Sequence, residues 1–588
     1  MASKFLQQRH QEEFSEIDIV EWANQDLDKR FTIGFSPGHI RTSIFSDASD
    51  IYIVNQTPAL PPAVKPRRWM VTATLTGLLI AVLLMALDVN ILATSIPKIT
   101  TEFQSLRDAA WYPAAFSLAR LATQPIYGRL YTLFSMKYIF CCNMATLAMG
   151  TDGETGSTIC AVSPNSMTLI IGRGVQGLGA SGAASGALNI GGYTVSKAKM
   201  PMMISIMGSM MMAAALGGPV LGGAISESFL TWRFSFWLNL RRSLSAMSII
   251  LVLIAFPEPY RPSTRIPLRD KLMGLDPTGS ILILGSMTCL VLGLQWGGNL
   301  LPWSNSKVLG CLIGFGVLFF LFVLLQIKQK DAALVPVRIV KQRTVGLSCI
   351  ATTCTYLGVT VLAYYIPFYL QAAKGLSPSI AGLYMLALGG PETLATLASG
   401  ALITYTKHYV PVMVLGGAIF SLGSGLLSSL TTGSNAGQII GYQVLASIGL
   451  GLGAQVPLTA VRNVLHEADI PIANALNGFS QSLGVVLGAP IAQSVFLDTL
   501  TSRLGSRLQP GNVSDITDLG ASNINPAHIE PQLLPFVAQA YRDASTTSLY
   551  VAVTSAAIVS AAGFFMEWKK FETKEEEDGR PRLGNTHR

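Results

Sequence analysis

Residues 216–223 read Leu216-Gly217-Gly218-Pro219-Val220-Leu221-Gly222-Gly223, inside a longer apolar run from Pro201 to Ile225. In water such a helix is costly, since glycine costs about 1 kcal/mol and proline about 3 relative to alanine. In a bilayer the same residues let helix backbones approach closely and bend. The stretch predicts a membrane helix that packs tightly and kinks, as a moving transporter needs.

The rest of the 588-residue chain agrees with a membrane setting. It is 50% hydrophobic and only 13% charged, whereas soluble proteins carry about 25% charged residues. The formal net charge of +8 does not read as nucleic-acid binding, because the basic residues fall in short loops between apolar runs. The seven cysteines (Cys141, Cys142, Cys160, Cys289, Cys311, Cys349, Cys354) form no CxxC and are odd in number, which indicates neither a disulfide framework nor a zinc site. Residues 1–68 are polar and charged, with no signal peptide visible.

A bilayer core needs about 20 apolar residues per helix, and about fourteen such runs fit between 69–96 and 546–567. The third is broken by Asp152-Gly153-Glu154, and the sixth contains Arg241-Arg242. With the N-terminus inside, about 21 Lys and Arg flank the cytoplasmic ends and about 8 the opposite ends. That bias predicts fourteen spans with both termini cytoplasmic. The expected parts are a tail (1–68), a six-helix bundle (69–256), a basic linker (257–276), an inserted helix pair (277–328), a second six-helix bundle (345–567) and a C-terminal tail (568–588). The long external loop 497–545 carries a glycosylation sequon at Asn512, while that at Asn55 falls in the cytoplasmic tail. Two bundles facing each other suit alternating access by rocking.

Four patches then resemble the major facilitator superfamily, in its fourteen-span drug:proton antiporter group and the fungal aflatoxin-pump-like branch. They are Leu87-Asp-Val-Asn-Ile-Leu-Ala-Thr-Ser-Ile-Pro97, Gly128-Arg-Leu-Tyr-Thr-Leu-Phe-Ser-Met-Lys137, Leu169-Ile-Ile-Gly-Arg-Gly-Val-Gln-Gly-Leu-Gly179 and the opening stretch. Leu275-Asp-Pro-Thr-Gly279 and Tyr364-Tyr-Ile-Pro-Phe-Tyr-Leu-Gln371 extend the likeness. Three departures stand out. Thr132 replaces the loop aspartate of the general pattern, Ser205 and Ala214 replace two upstream glycines, and Arg241-Arg242 follows Asn239-Leu240 where Pro and Gly are usual. The resemblance implies an all-α major facilitator fold. It assigns the antiporter motif to Gly217, Gly218, Pro219, Gly222 and Gly223, a cytoplasmic gating loop to Gly128 and Lys137, and proton coupling to Arg173 with Gln176 and Gly177.

Ionisable residues inside a membrane are functional candidates by default, and Asp88, Arg120, Arg173 and Glu392 stand out. Helix rise puts Asp88 roughly 27 Å from the cytoplasmic end of the first span and Arg173 roughly 10 Å from the outer end of the fourth. Both fall in the outer half, where they can pair. Arg173 reads either as a coupling residue or as a structural arginine on carbonyls, and Asp88 either as a coupling residue or as a helix-end hydrogen-bonding residue. Arg120 and Glu392 lie roughly 17 and 20 Å into their spans, and a mid-membrane pair or a shared polar patch is expected of them.

Gly177-Leu-Gly-Ala-Ser-Gly182 matches GxGxxG but follows no strand, so it reads as helix packing along with Gly186. The methionines between Met200 and Met212 read as adaptable apolar packing ahead of a soft-metal path. Gln371, Gln443, Gln455, Asn474, Asn477 and Gln481 are candidates for substrate hydrogen bonds or for bridges between helices.

The expected function is proton-coupled export of small organic molecules (secondary metabolites, toxins or drugs) by a monomer in the plasma membrane, with a vacuolar or vesicle membrane as the alternative. Its partners are protons, a small-molecule substrate and lipid, with no nucleic acid and no cofactor. No HExxH or GxSxG points to an enzyme. The rival readings are a proton symporter importing a nutrient or siderophore and a non-transporting sensor of the same fold.

Overall fold

The computed structural model describes residues 67–570, apart from 106–107, 109–110, 149–155, 228–231, 234–235, 237–241, 259–266, 298–300 and 508–531. Among these residues the secondary structure is helical except for one isolated bridge, Gly297–Leu301. In the first half the helices are α1 (Arg68–Glu102), α2 (Trp111–Leu133), α3 (Met136–Ala148), α4 (Gly156–Ala161), α5 (Ser166–Thr194), α6 (Met200–Glu227) and α7 (Arg242–Ala255). A short α8 (Leu268–Met273) leads to α9 (Pro277–Trp296), α10 (Ser306–Gln329) and a single turn, α11 (Val337–Val340). The second half holds α12 (Arg343–Phe368), α13 (Pro378–Thr406), α14 (Val410–Ser428), α15 (Ala436–Ala454), α16 (Val456–Val464), α17 (Ile470–Gly505) and α18 (Leu534–Phe565).

Local sequence explains several of the helix starts. Asn165 caps α5 by accepting from the Thr168 amide, and Ser377 caps α13 with Pro378 in its first turn. Asn435 and Gln438 form a reciprocal capping box on α15. Asp276 caps α9 and also accepts from Gln326, Gln329 and the Leu334 amide, tying the ends of α9 and α10 together.

Ten helical segments among the described residues are long and apolar enough to cross a membrane, against the fourteen runs read from the sequence. The other four candidates are α2, α3 with α4, α5 and α7. The α2 and α5 helices carry buried polar and small residues. The third run divides into α3 and α4 on either side of 149–155, the stretch holding Asp152 and Glu154. The sixth is described only from Arg242, as 14 residues, because 237–241 lie outside the described residues. The run expected over 437–461 is two helices, since Pro457 lacks an amide donor and the chain turns at Gln455.

Helices pack in two groups. In the first, α1 packs on α6 and α7, and α5 on α2 and α3. In the second, α12 packs on α17 and α18, α13 on α15, and α14 on α15 and α18. Separate buried apolar clusters fill the groups, one around Leu78, Phe140 and Ile190 and another around Leu362, Tyr369 and Tyr541. The α9–α10 pair leans on α2 through Leu121, Ile283 and Met287. Ile313 and Phe320 of α10 stay exposed, as a lipid-facing surface requires.

Two antiparallel crossings join the groups, α6 with α13 and α2 with α17. Along the first, Ser205 lies against Gly400, the Ser209 hydroxyl donates to the Thr393 carbonyl (3.1 Å), and Leu216 lies over Gly389. A Cβ on Gly389 would come 2.3 Å from a Leu216 methyl, so this approach requires glycine. Along the second, Gly128 meets Ala475 and Ile472, Gln124 lies over Gly478, and Arg120 meets Gln481.

Candidate functional site

The sequence-derived site residues divide into a buried network within the first group and a polar centre between the two groups. In the network, Arg173 is 1% exposed and donates from Nη1 to Asp88 Oδ2 (2.8 Å) and Gln176 Oε1 (2.7 Å). Its Nε donates to the Tyr112 carbonyl (3.2 Å), and its guanidinium lies 4.6 Å from the Phe116 ring centroid. The Gln176 amide donates to Asp88 Oδ1 (3.1 Å) and to the Ser157 hydroxyl (2.7 Å). A buried charge costs several kcal/mol unless it is paired and hydrogen-bonded, and this pair is both. Arg173 bonds a backbone carbonyl, as its structural reading expects, and touches Asp88, the pairing that helix rise allows. Gly177 sits one residue beyond Gln176, and a Cβ there would come 2.4 Å from the Phe116 carbonyl. Gly182 likewise packs on Asn143. The GxGxxG stretch thus forms a helix face against α2 and α3.

The opening stretch lies across both kinds of contact. Gly218 packs on α1, where a Cβ would come 2.5 Å from Asn90 Cβ, two residues from Asp88. Leu216 faces the other way, onto α13. Gly217 meets nothing within 4 Å. Pro219, Gly222 and Gly223 continue the same helix, and what surrounds them lies outside the described residues, as does Asn512.

The polar centre is a cavity of about 60 Å³ between the groups. Its apolar wall comes from Val82, Met85, Ile204, Met207 and Leu458, and its polar wall from Arg120, Gln124, Gln455, Asn477, Gln481 and Tyr356. Arg120 donates to Gln481 Oε1 (3.0 Å), while its buried Nε has no partner. Asn477 donates to Thr352 (3.0 Å). Gly208 of α6 leaves room for the Gln455 amide, which the turn before Pro457 aims across the interface.

The expected ion pair between Arg120 and Glu392 is not formed, because Arg120 turns toward α17. Glu392, 5% exposed, follows Pro391 in α13, and among the described residues no hydrogen bond or ion pair reaches its carboxylate. Tyr356 lies within electrostatic reach of both. Gln443 and Gln371 do not line the cavity. Gln443 is buried inside the second group with both amide atoms unpartnered, and Gln371 sits in a π-helical turn, Tyr369–Ala373, beyond α12. Asn474 spans the interface by donating to Asn189 (2.5 Å).

Sequence reading missed a set of contacts at the helix ends, on the side expected to be cytoplasmic. Arg129 donates to the carbonyls of Asp331 and Ala333. Arg338 holds Asp469 through two hydrogen bonds (2.6 and 2.8 Å) and Asp331 through a third (2.5 Å). Those bonds to Asp469 and Asp331 raise the pKa of Arg338 above that of an ordinary arginine. Glu258 takes the Ser135 hydroxyl (2.5 Å) and the Met136 amide (2.6 Å), capping α3 in the loop between Gly128 and Lys137. Lys137 itself makes no ion pair among the described residues. Arg462 donates to the Leu188 carbonyl (2.6 Å) and covers Gly192, closing the floor of the cavity. Below it opens a vestibule of about 430 Å³. Contacts separated by 131 residues, such as Arg338–Asp469, leave no local periodic signal that could have revealed them.

Among the described residues no group of His, Cys, Asp and Glu could hold a metal ion. The centre presents a polar wall opposite an apolar one.

A family model described as the Major Facilitator Superfamily matches residues 78–338 and 348–504. The MFS-type transporter ltbE of Aspergillus luteorubrus is 36% identical over 523 residues, covering 89% of this chain and 94% of its own length. The efflux pump aflT of Aspergillus parasiticus is 36% identical over 496 residues, covering 84% and 94%. A solved structure of a double-tryptophan XylE mutant superposes with a TM-score of 0.54 at 13% identity, covering 86% of this chain and 98% of the other, a likeness of fold. With most of both helical groups inside the family match (α18 lies beyond it), this multi-pass membrane chain belongs to the major facilitator superfamily.

Proposed function

We propose that the chain exports small organic molecules in exchange for protons, by alternating access, as a monomer in the plasma membrane. Relatives carrying the printed name of efflux pump, aflT among them, support export. The observation that carries proton coupling is Glu392, a buried carboxylate without a hydrogen-bond or ion-pair partner among the described residues, beside the interface of the two groups. A lone buried carboxylate is costly when charged and inexpensive when protonated. It therefore takes a proton when sealed and releases it when rocking opens it to the cytoplasm.

The inserted pair α9–α10 serves as a lipid-facing buttress on α2 in this reading, and the six-helix bundles are the moving bodies. The cavity of about 60 Å³ is far below the 300–1,000 Å³ usual for ligand pockets. The described form is thus a contracted one, and room for substrate comes from separating the bundles. Arg462, Arg338 and the Asn189–Asn474 contact hold its cytoplasmic side.

The test is substrate-evoked proton release from acid-loaded inside-out vesicles carrying the full chain. Wild type should collapse the pH gradient when substrate is added, and Glu392→Gln should not, while substrate binding persists. Full coupling by Glu392→Gln would remove this carboxylate from the mechanism.

A further inference from the structure

We infer, on the export reading above, that the exported molecules are organic anions: an apolar or aromatic body bearing a carboxylate, sulfonate, enolate or phenolate. The centre carries a guanidinium whose charge is not neutralised. Arg120 donates once, to the neutral Gln481, and its Nε is buried with no acceptor. Buried cations without a counter-ion are strongly disfavoured. Here an incoming anion can provide that counter-ion, with two parallel hydrogen bonds from the fork. Opposite Arg120, the methionine and aliphatic wall of α1 and α6 suits an apolar body.

A second guanidinium stands on the route from the cytoplasm. Arg462 separates vestibule from cavity, and its Nε is likewise buried and unpartnered. The vestibule is lined by Lys197, Arg462, Lys569 and Lys570 against a single acid, Glu467, which lies 3.9 Å from Lys197. Lys569 also has Glu567 at 2.7 Å. Cytoplasmic lysines follow from membrane orientation alone, so they add focusing of anions and little more. Arg120 and Arg462 are not explained that way, because they lie inward of the loops and lack carboxylates.

An alternative role for Arg120 is to await Glu392 in another conformation. In that case its loss would impair every substrate alike. Under the anion rule, its loss falls on anions.

The experiment uses inside-out vesicles with an acid lumen and three pyrenes of matched shape: 1-pyrenesulfonate, 1-pyrenemethanol and trimethyl(1-pyrenylmethyl)ammonium. The sulfonate should accumulate well above the other two. Arg120→Gln should lower its accumulation about tenfold or more, the loss of one charge-assisted contact, and Arg120→Lys should restore part of it. Accumulation of the ammonium or the alcohol with the sulfonate at background would overturn the anion rule and leave export standing. Equal loss of all probes in Arg120→Gln would also overturn it. If inserted wild-type protein moves none of the three, the export reading falls and this inference with it.

Discussion

Asp88–Arg173 and Arg120/Glu392 are two sets of opposite charges in one membrane domain with opposite treatment. The first pair is in contact at 2.8 Å, and neighbours also bond Arg173 Nε and Asp88 Oδ1. The second set is held apart, one member on a neutral glutamine and the other with no hydrogen bond to its carboxylate among the described residues. The first lies within one helical group and the second at the interface between two. The difference teaches that burial does not by itself mark a working charge. On the proposed cycle the satisfied pair belongs to the frame, and the unsatisfied charges act when the two groups move apart.

Breaking the satisfied pair should have the largest effect. Arg173→Leu leaves Asp88 buried without a counter-ion and should cost about 3–5 kcal/mol, read as a large drop in melting temperature of detergent-purified protein. A stability within 1 kcal/mol of wild type would make the pair decorative and collapse the comparison.

Glu392→Gln should do the reverse. It removes a lone buried carboxylate and should leave the melting temperature unchanged or raised, by up to about 1 kcal/mol. A loss as large as that of Arg173→Leu would mean that Glu392 has a structural partner after all.

The smallest effect belongs to an exposed pair outside the spans. Glu102 accepts from Trp232 Nε1 (2.5 Å) and Arg233 Nη2 (2.8 Å). Burial opposes its ionisation, but those hydrogen bonds and the Arg233 charge outweigh it and hold its pKa below the usual range. A lowered carboxylate pKa stabilises above the unfolded value, near 4.3, and the contribution is lost as pH falls through the folded value. With Glu102 and Arg233 side chains 46% and 29% exposed, screening limits it to about 1 kcal/mol or less. The difference in stability between wild type and Glu102→Gln should shrink as pH drops from 6 to 3. A constant difference would show that the contact is not ionic.

Much of this was legible in the sequence, and the limits have a geometric cause. Helix rise placed Asp88 and Arg173 at one depth, and they touch. The same arithmetic placed Arg120 and Glu392 near one depth, and they do not. Depth follows from counting residues, but the direction in which a side chain points depends on how each helix is rotated by its neighbours. Gly182 and Gly186 read as packing because their spacing is local, and Gly182 indeed meets Asn143. Gln455 was marked as polar among apolar residues, while the break at Pro457 that aims it across the interface was hidden in a continuous apolar run. Tyr356 and Arg462 carried no signal, since an aromatic in a span and an arginine at a cytoplasmic end are both unremarkable.

Arg120 has a further consequence, in electrical terms. On the proposed cycle, a fixed positive charge at this interface would sense voltage. One elementary charge crossing 100 mV exchanges about 2.3 kcal/mol with the membrane potential. In that cycle the outward stroke carries the anion on Arg120 with Glu392 deprotonated, a net negative charge that a negative interior pushes outward. The empty carrier returns with the guanidinium bare, moving a positive charge toward a negative interior. On the proposed cycle the resting potential therefore favours both strokes, and turnover should quicken with polarisation when substrate is saturating.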